Sequence, residues 1–270
     1  MDSPPRSLPA VAVTAPARAF AAVVFDMDGV VTDTAAVHSA AWKRMFDEYL
    51  RLRETRHGEV FREFTQADYR ACVDGRPRYQ GVENFLASRG LHLSPGTPDD
   101  PAGIETVCGL GNRKNVLFNE IIATFGVGLY ASTLALIEAL RREGLKVGLA
   151  TSSRNAAPIL AKTQTAHLFA TVVDGLVSAR LGLKGKPQPD IFTAACAALG
   201  VPPARTVVVE DAVAGVRAGA AGGFGLVIGV AREDNARELR ENGADVVVRD
   251  LAEVNVEEID RQVRRADRSG

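Results

Sequence analysis

The sequence is poor in cysteine and carries no excess of charge of either sign. Its 270 residues include only three cysteines, Cys72, Cys108 and Cys196, and no two of them form a C-x-x-C pair. We therefore expect reduced thiols, with neither a disulfide framework nor a zinc site. The formal net charge of −1 provides no electrostatic footprint for nucleic acid or for an anionic membrane.

Long apolar runs are also missing, so the sequence predicts no membrane-spanning helix. No secretory signal is recognisable, because the first apolar run has the features of a core strand. Residues 1–18 contain four prolines among small residues and are expected to form a disordered lead. Together these features predict a cytoplasmic protein.

The chain does contain many short apolar segments, and their spacing predicts the fold class. From residue 132 onward, apolar strands near 145–150, 171–173, 206–209, 224–228 and 245–248 alternate with helical patterns. Such alternation predicts an α/β fold with a doubly wound parallel sheet. Residues 34–125 show only helical patterns, with one stripe ending near Leu52 and a loop expected over 53–64. We predict a core of residues 19–33 and 126–270, with residues 34–125 inserted as an α-helical cap.

The segment 20–34, FAAVVFDMDGVVTDT, is the centre of this organisation. An apolar run ends at Asp26, and Gly29 allows the backbone to turn sharply. Asp26 and Asp28 should face one crevice at the carboxyl edge of the sheet, where such folds bind ligands. Two carboxylates repel each other unless a cation lies between them or one keeps its proton, and Mg²⁺ suits oxygen ligands. The alternative is that both aspartates cap the next helix.

Other polar groups follow later segments of the same predicted sheet. Thr151-Ser152-Ser153 ends one strand, where hydroxyls and backbone N–H groups suit a phosphate oxygen. Lys186 in GKPQPD could neutralise a carboxylate and a phosphate, and Glu210-Asp211 ends another strand. Taken singly, these groups could be helix caps and a solvated lysine. Their joint order along one sheet is more specific.

That order resembles the haloacid dehalogenase-type phosphotransferases. The matching motifs are DMDGV (26–30), TSS (151–153), GKPQPD (185–190) and VEDA (209–212). The resemblance implies that Asp26 is the nucleophile that forms an aspartyl phosphate and that Asp28 is the general acid/base. It also implies phosphoryl binding by Thr151 and Lys186. The implied Mg²⁺ ligands are Asp26, the Asp28 backbone carbonyl and Asp211, helped by Glu210.

The helical cap and several further residues resemble the β-phosphoglucomutase-like subgroup. Thr34 and His38 match a hinge threonine and a histidine that positions the acid/base, a pair that simple phosphatases of this group usually lack. Arg78 matches a cap arginine that grips the distal phosphate. The substrate-binding residues that the resemblance implies are Thr34, His38, Arg78, Lys114, Asn115, Ser152 and Asn155.

The sequence also departs from the compact mutases. Asp74 stands where a lysine commonly precedes the cap glycine, Pro77 replaces a serine, and residues 51–65 and 91–104 lengthen the cap. The stretches VDGRPRYQGVENFLASRG and ETVCGLGNRKN resemble a subgroup found alone or fused to disaccharide-processing enzymes. These departures could suit a bulkier sugar or cyclitol phosphate.

Three functional hypotheses follow. The first is a Mg²⁺-dependent mutase that interconverts a sugar 1-phosphate and 6-phosphate, with a sugar bisphosphate as a possible activator. The second is a phosphatase in which water attacks the aspartyl phosphate. A catalytically silent sugar-phosphate sensor is a third, but the intact core motifs argue against it. We expect a small-molecule partner, no nucleic acid or membrane, and a monomer or weak dimer.

Overall fold

A six-stranded parallel sheet forms the centre of the protein. The computed structural model describes residues 18–232 and 234–266, so the predicted lead lies outside the described residues except for Arg18. The sheet has the strand order β5-β4-β1-β6-β7-β8. Its strands are β1 (Ala22–Phe25), β4 (Lys146–Ala150), β5 (Thr171–Val173), β6 (Thr206–Glu210), β7 (Leu226–Val230) and β8 (Val246–Val248). The predicted α/β class with a parallel sheet is confirmed.

The central strand shows why these residues form a covered sheet. All four residues of β1 are buried. Val23 and Phe25 belong to one apolar cluster, whereas Ala22 and Val24 belong to another. Because successive side chains of a strand point to opposite faces, both faces of the sheet must be covered by helices. This explains the nearly continuous apolar composition of the strands.

Helices account for most of the remaining described chain. They are α1 (Ala35–His57), α2 (Gln66–Asp68), α3 (Arg78–Ser88), α4 (Val107–Phe125), α5 (Ala131–Arg142), α6 (Ala156–Lys162), α7 (Gly175–Leu181), α8 (Asp190–Leu199), α9 (Val213–Ala221), α10 (Ala236–Glu241) and α11 (Val256–Ala266). A π-helical turn, Tyr69–Val73, continues α2. Among the described residues, no helix is long and apolar enough to cross a membrane.

The prediction that α1 ends near Leu52 was wrong. The helix continues to His57 and stops at Gly58, which has a φ of 69° and donates its N–H to the Glu54 carbonyl. Arg53 in this last part pairs with Glu59, with 2.7 Å between Nε and Oε2. Charged pairs and a C-terminal glycine therefore stabilise the last turns of α1, although these turns have no apolar stripe.

The four helices α1–α4 lie between two short strands that pair with each other. These are β2 (Thr32–Asp33) and β3 (Gly128–Leu129), which form an antiparallel ribbon where the chain leaves and rejoins the sheet domain. Phe46, Phe64 and Phe85 pack together among these helices, with ring centroids 4.0 to 5.1 Å apart. The helical segment therefore has an aromatic centre of its own. That residues 34–125 form a cap stays a prediction, and we keep the name cap for this segment.

Candidate active site

Three neighbouring strands bring the polar motifs together. Strand β1 lies between β4 and β6 in parallel register. Asp26, Thr151 and Asp211 each follow directly after one of these three strands. Since the carboxyl ends of parallel strands share one edge, side chains distant in sequence meet there. Thr151 is buried, and its hydroxyl accepts the Ser153 N–H at 3.1 Å.

Lys186 lies between Asp26 and Glu210 in the part of the site that the core forms. Its Nζ is 2.5 Å from Asp26 Oδ1 and also donates to Glu210 Oε1. Only 1% of the lysine side chain is exposed. Burial alone would lower the pKa of Lys186, but the Asp26 and Glu210 carboxylates raise it overall. The ammonium is therefore fixed in its charged form beside Asp26.

Glu210 is held on both of its oxygens. Besides accepting from Lys186, it accepts the backbone N–H groups of Asp211 and Ala212, each at 2.9 Å through Oε2. A β-carbon at Gly215 would lie only 1.8 Å from Glu210 Oε1. This glycine therefore leaves the space that the glutamate occupies.

Asp26, Glu210 and Asp211 form an acidic cluster whose ligand oxygens lie within 4.8 Å of one another. Burial raises the pKa of Asp26 and of Asp211 well above the ordinary value, and the neighbouring carboxylates raise both further. One lysine does not balance three carboxylates. A hard divalent cation with oxygen ligands fits this set, because it would supply the missing positive charge.

The backbone near Asp28 supports the same cluster. Gly29 has a φ of +83°, and a β-carbon there would lie 1.8 Å from Asp211 Oδ2. The position thus requires glycine for its backbone conformation and for the close approach of Asp211. The sharp turn predicted at Gly29 is present.

The carboxylate of Asp28 turns away from the acidic cluster and contacts Thr34 and His38. The Thr34 hydroxyl donates to Asp28 Oδ1, and His38 Nε2 lies 3.2 Å from the same oxygen. Thr34 precedes α1 but does not cap it with its side chain. Burial would raise the pKa of Asp28, whereas His38, Thr34 and Lys114 together lower it.

Lys114 extends this chain of contacts into the cap. Its Nζ lies 2.6 Å from His38 Nδ1, and it is only 3% exposed. Lys114 Nζ also faces Trp42 and Phe118, 5.1 and 4.7 Å from the ring centroids. Burial and the charge of Arg78 lower the pKa of Lys114 well below its ordinary value. Burial and the charge of Lys114 both lower the pKa of His38. A neutral His38 can accept from Lys114 at Nδ1 and present Nε2–H toward Asp28.

A second cap group centres on Asn115. Its Oδ1 accepts from Arg78 Nη2 at 2.7 Å and from Asn155 Nδ2 at 2.8 Å. The amide thus joins an arginine of the cap to the loop after β4. Burial, together with the charge of Arg154, lowers the pKa of Arg78 to about 10. Two guanidinium groups close together favour an anionic ligand.

The cap rests on the core through the loop that follows β4. Ser152 donates to the Gly75 carbonyl at 3.0 Å, and Arg154 donates to the Tyr79 hydroxyl at 3.1 Å. A first cavity lies between the two parts. Of the predicted site residues, Asp26, Asp28, His38, Arg78, Lys114, Thr151, Ser152, Asn155, Lys186, Glu210 and Asp211 line it. Thr34 and Asn115 are absent from the lining and contact residues that belong to it.

Comparison with known proteins identifies the family. Residues 20–223 match the haloacid dehalogenase-like hydrolase family. The chain belongs to that family. A β-phosphoglucomutase of Mycobacterium bovis is 45% identical over 237 residues, which cover 86% of this chain and 90% of the relative. The chain is accordingly a β-phosphoglucomutase-like enzyme, a phosphotransferase that acts on a sugar phosphate.

Two further relatives bear on the fold and on the predicted subgroup. An uncharacterised glycosyl hydrolase of Mycobacterium tuberculosis is 41% identical over 235 residues, which cover 87% of this chain but 17% of that much longer protein. The crystal structure of a β-phosphoglucomutase from Clostridium difficile superposes with a TM-score of 0.72 at 21% identity, over 91% of this chain and 98% of that chain. That similarity supports the family's fold.

Two arginines that line the first cavity of this haloacid dehalogenase-like enzyme are not among the predicted site residues. Arg154 follows Ser153 in the motif SSRN, and Arg76 follows the cap glycine in DGRPR. Both lie within two residues of predicted site residues, so their motifs contained the available signal. The arrangement combines a buried nucleophile candidate, a carboxylate held by Thr34 and His38, and a basic cap, and this combination suits phosphoryl transfer.

Proposed function

We propose that the protein is a Mg²⁺-dependent mutase of the β-phosphoglucomutase type, which interconverts a sugar 1-phosphate and 6-phosphate. The observation that carries this proposal is the chain of contacts from Thr34 through Asp28 and His38 to Lys114. These contacts connect Asp28, the candidate acid/base of the core, to the cap. A mutase needs such a link, because its acid/base must act on a sugar hydroxyl held under the cap.

The core residues would perform the transfer. With Asp26 already carrying a phosphoryl group taken from a sugar bisphosphate, Asp28 removes the proton from the free hydroxyl of the sugar monophosphate as the phosphoryl group passes to that oxygen, which gives a bisphosphorylated sugar and free Asp26. Asp26 then attacks the other phosphoryl group of this bisphosphate and forms the aspartyl phosphate again, while Asp28 returns the proton to the leaving sugar oxygen. Lys186 and Thr151 hold the phosphoryl oxygens, and the ammonium balances their charge.

The Mg²⁺ would be held by Asp26, the Asp28 backbone carbonyl, Glu210 and Asp211. Bound there, it supplies positive charge to the oxygens of the transferring phosphoryl group. The hydrogen bonds of Glu210 to Lys186 and to two backbone N–H groups keep the ligand loop in place.

The cap residues would hold the part of the substrate that does not react. Arg78 and Lys114 anchor its phosphate, and Asn115 keeps Arg78 beside Asn155. Closure of the cap excludes water, which would otherwise hydrolyse the aspartyl phosphate. A bisphosphorylated sugar can then reorient before the second transfer. We also infer a cytoplasmic monomer or weak dimer, in accord with three free cysteines in the described chain.

Product analysis tests the proposal. The enzyme is incubated with β-glucose 1-phosphate, Mg²⁺ and a trace of glucose 1,6-bisphosphate, and both glucose 6-phosphate and inorganic phosphate are measured. We expect glucose 6-phosphate without inorganic phosphate. Stoichiometric inorganic phosphate would instead establish the phosphatase hypothesis. If neither forms, bulkier sugar and cyclitol phosphates are tested in the same assay.

The control for that assay is Asp26→Asn. We expect turnover to fall at least about 10³-fold, because the nucleophile is lost. The variant should remain folded, since the pKa of Asp26 is raised and a neutral amide suits the buried position. Turnover that survives in a folded variant would contradict the aspartyl phosphate mechanism.

A further inference from the structure

A second cavity lies beside the first, between the cap and the core. The two share Ala35, Tyr69, Asp74, Arg76 and Asp211 in their linings, so the second cavity extends from the acidic cluster. None of the functions proposed above uses it.

Residues with unpaired, buried polar atoms concentrate around this second cavity. In the described chain, five buried side-chain nitrogen or oxygen atoms lack a hydrogen-bond partner. Three of the five belong to residues that line the second cavity, namely Arg76 Nε, Arg232 Nη2 and Asn235 Oδ1. Buried polar groups normally have partners, so this concentration indicates a place where a ligand supplies them.

The chemistry of the three atoms defines the ligand. Arg76 and Arg232 offer N–H donors from charged guanidinium groups, whose geometry suits a phosphate-like oxyanion. A hydrogen phosphate could in addition donate its O–H to Asn235 Oδ1. Arginines outnumber carboxylates in the lining by four to three, and one of the carboxylates is Asp211 of the acidic cluster.

The positions of these residues connect the cavity to the catalytic loops. Arg232 Nε donates to the Gly29 carbonyl at 2.8 Å, and its Nη1 pairs with Asp250 at 3.0 Å. Asn235 Nδ2 lies 3.4 Å from the Asp211 carbonyl. Arg76, by contrast, belongs to the cap loop between Asp74 and Pro77. A ligand bound to all three would bridge the cap to both loops of the acidic cluster.

We propose that the second cavity binds a tetrahedral oxyanion, a phosphate group, through Arg76 of the cap and Arg232 and Asn235 of the core. The anion is distinct from the phosphoryl group beside Lys186. Its source is either a free anion or a phosphate group on a ligand that extends from the first cavity. Binding at this position holds the cap closed over the core.

The experiment uses selenate as the probe, since its selenium is located by anomalous diffraction. Crystals of the full-length enzyme with Mg²⁺ are soaked in selenate for the wild type, Arg76→Gln and Arg78→Gln. We expect a selenium peak in the second cavity of the wild type and of Arg78→Gln, and its loss in Arg76→Gln. Arg78 is the matched control, because it is a cap arginine that lines only the first cavity.

A solution measurement accompanies the crystals and requires no turnover. Sulfate should raise the melting temperature of the wild type, and Arg76→Gln should need about tenfold more sulfate or more for the same rise. Asn235→Ala gives a core-side variant if Arg76→Gln folds poorly. A second cavity that holds only water in wild-type crystals overturns the proposal, as does an unchanged peak in Arg76→Gln. Neither outcome depends on whether the enzyme is a mutase.

Glucose 1,6-bisphosphate distinguishes the two sources of the anion. If it displaces selenate from the second cavity and places a phosphate there, the cavity takes a group carried by the sugar. If selenate remains while the bisphosphate fills the first cavity, the site takes a free anion.

Discussion

At the residue scale, the contact between Lys114 and His38 has a consequence that can be measured directly. Burial and the Lys114 charge lower the pKa of His38 below 6.5. Lys114→Met removes the contribution of Lys114 while Asp28 stays, so the pKa of His38 should rise. An NMR titration of the His38 ring measures this value. Lys43→Met is the control, since Lys43 lies on the cap surface and pairs with Glu63.

The lowered pKa of His38 also determines how the stability of the protein changes with pH. Because the folded-state pKa of His38 is depressed, its contribution is present above pH 6.5 and is lost as the pH falls through the folded-state value. The free energy of unfolding should therefore decrease less on acidification in Lys114→Met than in the wild type. An unchanged His38 titration in that variant would contradict the contact.

At the element scale, the turn after β1 controls the acidic cluster. Gly29→Ala would place a methyl group 1.8 Å from Asp211 Oδ2, at a φ of +83°. We expect Mg²⁺ affinity to fall at least about tenfold, because Asp211 must move. Gly58→Ala is the control. It has a φ of +69° but no atom within 4 Å of the added carbon, so it has only the backbone strain of about 1–2 kcal/mol.

Calorimetric titration with Mg²⁺ checks both glycine variants. If Gly29→Ala and Gly58→Ala lost Mg²⁺ affinity equally, backbone strain alone would explain the loss, and the close approach of Asp211 to Gly29 would not contribute.

Asn115 of helix α4 joins the cap to the core through its bonds to Arg78 and Asn155. Asn115→Ala removes the acceptor for Arg78 and Asn155. We expect KM for the sugar phosphate to rise about tenfold, with a smaller change in kcat, since the lost bonds serve binding. Asn119→Ala, an exposed position one turn later on α4, should leave KM unchanged. A fall in kcat at constant KM would place Asn115 in the chemical step instead.

The secondary-structure elements also show which features of the fold and of the site can be predicted from the sequence. Asp26, Thr151 and Asp211 follow apolar strands, and the topology of a parallel sheet brings such positions together. Helix α7 was missed, because none of its residues is buried and it has no apolar stripe. The second cavity could not be predicted either. Arg76 and Arg232 lie in separate parts of the chain, and only the folded chain places them in one lining.

At the scale of the whole molecule, Mg²⁺ should determine how stability depends on pH. The raised pKa values of Asp26 and Asp211 mean that the metal-free protein binds protons more tightly when folded. Their contribution to stability is thus present at low pH and is lost as the pH rises through the folded-state values. Mg²⁺ replaces those protons, so its stabilising effect should grow with pH.

Thermal unfolding between pH 5 and pH 8, with EDTA or with excess Mg²⁺, measures that effect. The rise in melting temperature on adding Mg²⁺ should be larger at pH 8 than at pH 5 in the wild type. Asp211→Asn should reduce the rise at every pH, because it removes a ligand and one of the buried charges. Asp99→Asn, an exposed position of the cap, serves as the control and should match the wild type. A Mg²⁺ effect independent of pH, or one retained in Asp211→Asn, would mean that the acidic cluster does not hold the metal.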